Sequence, residues 1–206
     1  MGQVLLVRHG QASWGAADYD VLSPLGERQA TATGAFLSSG VRPDAVAHGL
    51  MQRQRRTVEL MAEAAGWSLA PSVDGRWDEM DHLAVLDAQP RDFDGEPDAH
   101  QFQAWFEKAT GRWLSGAHDG EYAESWPEFR DRVLAVLDAL GDGTTVVVTS
   151  GGPISVVVAH LLEQRQQRVP DRHPASSRVD TRYVYHVCKG AVSGRSARLP
   201  AGGRAR

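Results

Sequence analysis

The segment Val4-Leu5-Leu6-Val7-Arg8-His9-Gly10 carries the strongest structural signal near the start of the chain. Its four consecutive apolar residues, two of them β-branched, are typical of a strand that is buried on both faces of a parallel sheet. The run ends at a guanidinium, an imidazole and a glycine. Ligands of open α/β sheets bind at the carboxyl ends of the strands. The stretch from Arg8 to Gln11 is therefore a candidate site.

Strand and helix patterns alternate along the rest of the chain, which predicts an α/β domain with a mainly parallel sheet. Besides the first strand, apolar runs predict strands at 45–47, 144–149 and 183–187. Apolar residues at helical spacing predict helices at 24–37, 52–65, 126–140 and 151–163. Ser23 as N-cap and Pro24 at the first helical position mark one helix start.

The length of 206 residues fits a single domain that spans residues 1–206. The pattern loosens over about 89–124, which we interpret as an insertion or lid. Its aromatic residues Trp105, Phe106 and Trp113 either line the mouth of a cleft or pack the insertion onto the sheet. The tail from about residue 194 is rich in Gly, Arg and Ser, and we expect it to be flexible.

Composition narrows the range of functions. The net charge is −4, with 22 Lys and Arg against 26 Asp and Glu, so we expect no nucleic-acid partner. Cys188 is the only cysteine, which excludes a disulfide within the chain and a cysteine-based zinc site. No segment has the pattern of a signal peptide or a membrane span. We therefore expect a cytoplasmic protein without a membrane partner.

Two further groups of residues fit an anion. Ser150-Gly151-Gly152-Pro153 follows the predicted strand 144–149, where free amides at a helix start would face the cleft. The residues Arg53, Arg55 and Arg56 begin another predicted helix, and arginine suits bidentate binding of phosphate. A cleft built from these parts fits a phosphoryl group, with His9 as nucleophile or general acid/base. Taken alone, each motif is more often an ordinary structural feature, and only the combination and order of the motifs favour a site.

The order of these motifs resembles the histidine phosphatase superfamily, the phosphoglycerate mutase-like proteins. The resemblance covers 5–11 and 22–30, and it continues through 52–59, which is similar to an R-A-x-Q-T helix. It extends to the acidic stretch 77–81 and to the strand and loop 146–152. It implies a three-layer sandwich around a mainly parallel sheet.

The resemblance also implies roles for the matching positions. His9 would attack phosphorus and carry the phosphoryl group, and Glu79 would be the general acid. The phosphate oxygens would be held by a set of polar and backbone groups, namely Arg8, Gln11, Arg53, Ser150 and Gly151. Because arginines neutralise the phosphate, we expect no metal and no cofactor.

Three positions depart from the family pattern. Ser150 stands where the family's S-H-G motif has a second imidazole, so a charged partner of the phosphate is missing. His82, close behind Glu79, is a candidate to replace that imidazole. Gly15 occupies the place of a frequent asparagine. The pair His48-Gly49 replaces Ser-Ser or Ser-Pro before the arginine helix.

The leading hypothesis is a metal-independent phosphohydrolase that acts on a small phosphomonoester through phospho-His9. The partner is then a phosphorylated small molecule, and a homodimer is one expectation for the assembly. The alternatives are a phosphoglycerate mutase-type phosphotransferase, a protein-phosphohistidine phosphatase, and a catalytically weak phosphate-binding homologue that lacks the second imidazole. An α/β-hydrolase with Ser150 as nucleophile is disfavoured because the G-x-S-x-G motif would need glycine at position 148, which is Val148.

Overall fold

The computed structural model describes residues 2–13, 18–167 and 183–186, with backbone only for 165–167 and 183–186. Five strands are described: β1 (Gln3–Arg8), β2 (Ala45–His48), β3 (Ser72–Val73), β4 (Thr144–Thr149) and β5 (Tyr183–His186). The six α-helices of this part are α1 (Pro24–Leu37), α2 (Gln52–Ala65), α3 (His82–Asp87), α4 (Ala99–Leu114), α5 (Trp126–Asp138) and α6 (Gly151–Gln167). The tail from residue 194, and Gly15 with it, lie outside the described residues.

The described strands form one sheet in the order β3-β2-β4-β1-β5, and every pairing in it is parallel. β1 and β4 are neighbours in it, with Arg8 opposite Thr149 in the register. The predicted α/β class with a mainly parallel sheet is confirmed. Because parallel strands run the same way, the residues that come after β1 and β4 emerge side by side at one edge.

Helices cover both faces of the sheet, and two apolar clusters show this. Leu5 and Val7 of β1 pack with Val58 and Met61 of α2 on one face. Val4 and Leu6 point to the opposite face, where α5 and α6 contribute Phe129, Val133 and Val157. Successive side chains of a strand point to opposite faces, so an unbroken apolar run is what a three-layer sandwich requires.

Helix termini agree closely with local sequence. The Ser23 side chain accepts a hydrogen bond from the Gly26 amide at the start of α1, as the N-cap prediction requires. Ser125 and Glu128 form a reciprocal capping box at the start of α5. Two predicted helix ends were inaccurate: α5 ends at Asp138 rather than at 140, and α6 continues to Gln167 rather than ending near 163.

The segment 89–124 contains α4, whose aromatic residues lie largely inside the molecule. Trp105 and Trp113 are buried, and the Trp113 ring lies 5.5 Å from the ring of Phe129 on α5. Of the two interpretations of these tryptophans, the structure supports the packing one. Neither α3 nor the two-residue strand β3 was predicted, because both are too short for a clear periodic pattern.

Candidate active site

His9 comes directly after β1 and is buried, with 9% of its surface exposed. Its backbone amide donates to the Thr149 carbonyl at 2.9 Å, which fixes it beside the end of β4. Its ring Nδ1 lies 2.7 Å from the Gly10 carbonyl oxygen. A carbonyl can only accept, so Nδ1 carries the proton and Nε2 presents a lone pair.

Burial lowers the pKa of His9 from 6.5 to about 4, because the charged imidazolium loses its hydration. The hydrogen bond to the Gly10 carbonyl opposes this effect, while the positive charges of Arg53 and Arg8 add to it. The imidazole is therefore neutral at pH 7. A neutral imidazole with an available lone pair is nucleophilic.

Arg53 is the guanidinium next to that lone pair. Its Nε donates to His9 Nε2 at 3.1 Å, and one terminal nitrogen donates to Asp20 Oδ1 at 2.7 Å. The Arg53 side chain is only 6% exposed, whereas those of Arg55 and Arg56 are 60% and 47% exposed. Of the three arginines, only Arg53 therefore turns inward.

Arg8 and Glu79 approach the same point from different segments. A Cβ built on Gly151 would lie 3.9 Å from Arg8 Cζ and 3.8 Å from Glu79 Oε2. Arg8 is exposed, and within the described part of the chain its guanidinium has no hydrogen bond or ion pair. Arg8 thus offers donors to a ligand at this mouth of the sheet.

Glu79 is held by the backbone at the start of α6. The Gly152 amide lies 3.1 Å from both carboxyl oxygens and fixes the position of the carboxyl group. A Cβ on Gly152 would collide with Glu79 Oε1. The glycine at position 152 is therefore a condition for this placement of Glu79.

Ser150 lies in a different environment from the one expected of a phosphate contact. It is fully buried, and its hydroxyl accepts a hydrogen bond from Gln54 Nε2 at 3.0 Å. Gln11 is exposed, and its side-chain oxygen accepts from the Ser23 hydroxyl at 2.9 Å. The structure thus brings together His9, Arg53, Arg8, Glu79 and Gly151. The phosphate contacts of Gln11 and Ser150 stay predictions.

Three neighbours of the site were missed by sequence reasoning. Asp20 pairs with Arg53 across 33 positions, and Thr57 accepts from the Gly10 amide at 3.1 Å. Gln54 links to Ser150 across 96 positions. Only Thr57 had a usable signal, since it lies one helical turn after Arg53 on the same face of α2. The ring of His82 lies 5.8 Å from the ring of Tyr19, and the Arg53 guanidinium lies 5.4 Å from that same ring. The replacement of the second imidazole by His82 stays a prediction.

The described residues contain no group of three or more His, Cys, Asp or Glu placed to hold a metal ion. Over the same residues, no helix has both the length and the apolar character needed to cross a membrane.

A neutral histidine, two arginines and a carboxyl group thus lie at the carboxyl edge of a parallel α/β sheet, an arrangement that suits the binding of a phosphoryl group. The chain belongs to the histidine phosphatase superfamily (branch 1), whose family model matches residues 4–185. The predicted resemblance and the predicted fold are thereby confirmed.

Individual relatives have different activities in their names. A 2,3-bisphosphoglycerate-dependent phosphoglycerate mutase of Thermobifida fusca is 29% identical over 195 residues, covering 78% of each chain. The crystal structure of a phosphoglycerate mutase from Bacillus anthracis superposes with a TM-score of 0.57 at 20% identity, covering 78% of this chain and 80% of that one. A mycobacterial glucosyl-3-phosphoglycerate phosphatase gives a TM-score of 0.51 at 25% identity, covering 77% and 78%. Phosphoryl transfer is common to these names, and hydrolase and mutase both occur.

Proposed function

We propose that the protein is a metal-independent phosphohydrolase that acts on a small phosphomonoester through a phosphohistidine on His9. The observation that carries this proposal is the state of His9: a neutral ring whose Nδ1 is bound to the Gly10 carbonyl and whose Nε2 faces Arg53. Such a ring needs no further base before it attacks, because its lone pair is already free of a proton.

In the first step, His9 Nε2 attacks the phosphorus of the substrate and the bond from phosphorus to the ester oxygen breaks. Glu79, in its protonated form, gives a proton to that oxygen, which leaves as the alcohol. Arg53 exchanges its Nε contact with His9 for a phosphate oxygen as the new N–P bond forms. The Gly10 carbonyl continues to accept from Nδ1 and stabilises the positive charge on the ring.

In the second step, water replaces the ring nitrogen. Glu79, now a carboxylate, takes a proton from the water while the water oxygen bonds to phosphorus and the N–P bond breaks. Inorganic phosphate leaves and His9 returns to its neutral form. One carboxyl group thus serves as acid and then as base, which is consistent with its single fixed position against the Gly152 amide.

Two arginines supply the positive charge that phosphoryl transfer needs, so the proposed chemistry requires no metal. Arg53 is buried and preorganised, while Arg8 is exposed at the mouth of the site. The start of α6 adds the Gly151 amide and the helix dipole. Most of the catalytic effect then comes from fixed donors that need not reorganise during the reaction.

A mutase is the second candidate, and the name of the Thermobifida fusca relative favours it. A mutase must keep its phosphohistidine away from water and return the phosphoryl group to a bound phosphoglycerate. Ser150 argues for hydrolysis instead, because its buried hydroxyl provides no charge to hold the second phosphoglycerate orientation.

The test is hydrolysis of 4-nitrophenyl phosphate in the presence of EDTA by the wild-type protein and by His9→Ala. We expect phosphate release that survives chelation and is absent from the variant. Parallel reactions contain 3-phosphoglycerate with 2,3-bisphosphoglycerate, and formation of 2-phosphoglycerate is measured. Faster isomerisation than phosphate release would replace the hydrolase by the mutase.

The intermediate can be sought directly by an alkaline quench followed by mass spectrometry of the peptide that contains His9. Phosphate on His9 during turnover supports both candidates. Orthovanadate binding without any turnover would replace them with the phosphate-binding homologue, and activity abolished by EDTA would overturn metal independence.

A further inference from the structure

Gln54 is a fully buried polar side chain beside Arg53, and the proposed reaction gives it no role. Its Nε2 donates to Ser150 Oγ at 3.0 Å and to the Trp77 carbonyl at 3.3 Å. Its Oε1 is buried and has no hydrogen-bond partner among the residues that the structure describes, a cost that an apolar residue at this position would avoid. Packing alone therefore does not explain a glutamine here.

Gly49 makes room for this side chain. A Cβ on Gly49 would collide with Gln54 Oε1 and with Asp78 Oδ1. Neither side chain could keep its place beside any residue other than glycine. The glycine at position 49 is thus a condition for the observed positions of Gln54 and Asp78.

These contacts bring the unusual positions of the sequence together. When the helix 52–59 is matched to R-A-x-Q-T through Arg53 and Thr57, Gln54 stands where that motif has alanine. Ser150 stands where the family motif has histidine, and Gly49 precedes the same helix. Compared with the family motifs, this chain therefore has a larger residue at position 54 and a smaller residue at position 150. The two side chains meet at 3.0 Å.

We infer that Gln54 is a positioning residue. Its side-chain amide and the Ser150 hydroxyl form an uncharged, buried bridge in the place of the second pocket imidazole, and Gly49 leaves room for it. This bridge joins α2 to the segments that carry Glu79. This inference rests on the proposed function. Trp77 lies two residues before Glu79, and Ser150 lies two residues before Gly152, whose amide holds the Glu79 carboxylate. Gln54 therefore acts on the general acid, whereas Arg53 keeps its own bonds to His9 and Asp20.

The role of Gln54 can be tested with two substrates that differ in their need for a proton from Glu79. A leaving alkoxide needs the proton of Glu79, whereas 4-nitrophenolate departs without one. We expect Gln54→Ala to lower kcat/KM for glycerol phosphate roughly tenfold more than kcat/KM for 4-nitrophenyl phosphate, the loss typical of one hydrogen bond. Gln54→Met keeps the volume but cannot donate, and we expect the same selective loss from it.

Arg55→Ala is the matched control, because Arg55 is on the same helix and its side chain is 60% exposed. We expect it to leave the ratio of the two substrates unchanged. Equal losses on both substrates in Gln54→Ala and Gln54→Met would overturn the positioning role.

The dependence between positions 54 and 150 is tested by introducing the residues that the family motifs have there, alanine at 54 and histidine at 150. We expect Ser150→His alone to lower the unfolding midpoint in urea, because the imidazole overlaps Gln54. The double variant Gln54→Ala/Ser150→His should recover the midpoint and bind orthovanadate more tightly.

Unfolding and vanadate binding need no turnover, so they test the bridge even if the proposed hydrolase activity is absent. Arg55→Ala combined with Ser150→His is the control pair and should give no recovery. If Ser150→His is as stable alone as in the double variant, positions 54 and 150 are independent and the inference is wrong.

Discussion

The ends of β1 and β4 are neighbours in the same sheet, yet they serve the site in opposite ways. At the end of β1, Arg8 is exposed, and His9 next to it has a neutral ring. At the end of β4, Thr149 and Ser150 are both fully buried, with their hydroxyls bonded to the Trp77 carbonyl and to Gln54. The end of β4 acts through its backbone, since the Gly152 amide holds Glu79.

This difference shows that position at the carboxyl edge of a sheet does not by itself make a side chain functional. Arg8 and Thr149 are paired in the register, but one is exposed and the other is fully buried. The segments packed against each strand end therefore determine whether its side chains reach the cleft. Four predictions test this contrast.

The largest effect is expected after β4, where the Gly152 amide holds Glu79. Gly152→Ala would place a Cβ on top of Glu79 Oε1, so the carboxylate must leave its position. We expect kcat/KM for an alkyl phosphate to fall about 10³-fold, within the range for loss of a general acid. Gly111→Ala is the control, because Gly111 lies on α4 and a Cβ there would meet no atom of the described residues within 4 Å. Similar rates for the two variants would mean that Glu79 is not the acid.

The buried histidine of the β1 side should make the protein sensitive to acid. The unfolded chain takes up a proton on His9 near pH 6.5, but the folded protein does so only near its lowered pKa of about 4. Stability from this group is therefore lost as pH falls from 6.5 to 4, by about 3 kcal/mol in total. Urea unfolding of His9→Gln over this range should show a flatter dependence on pH. His100→Gln, on an exposed histidine, should keep the wild-type slope.

Arg53→Lys tests whether catalysis requires the planar guanidinium that lies beside His9. Lysine keeps the charge but cannot donate to His9 and Asp20 from a fixed fork. We expect kcat/KM to fall about 10²-fold, as for loss of one preorganised donor. Arg56→Lys is the control, since Arg56 is bound to Glu27 and Glu59 at the surface. If both variants are fully active, Arg53 does not contact the transferred phosphoryl group.

The smallest effect is expected at Ser150. Ser150→Ala removes one neutral hydrogen bond, while Gln54 keeps the Trp77 carbonyl. We expect a loss of about 1 kcal/mol in unfolding free energy and less than tenfold in kcat/KM. A loss of 10²-fold or more with unchanged stability would instead show that the hydroxyl contacts the phosphate.

Local patterns in the sequence were sufficient to predict most of the elements and to select candidate residues for the site. Continuous apolar runs such as Val4–Val7 are stable only when buried on both faces, and this property predicts a parallel central sheet. Side-chain caps such as Ser23 act within one helical turn, so the start of α1 was readable from neighbouring residues. Arg8 and His9 were predicted as site residues because they follow a predicted strand, and their catalytic roles stay predictions.

Only the folded chain shows which side chains of the site work together. The pairs Arg53–Asp20, Gln54–Ser150 and Glu79–Gly152 are separated by 33, 96 and 73 positions. No periodicity or capping rule relates residues so far apart, because those rules describe contacts within one element. The lowered pKa of His9 likewise comes from burial between segments, which exists only after the chain has folded.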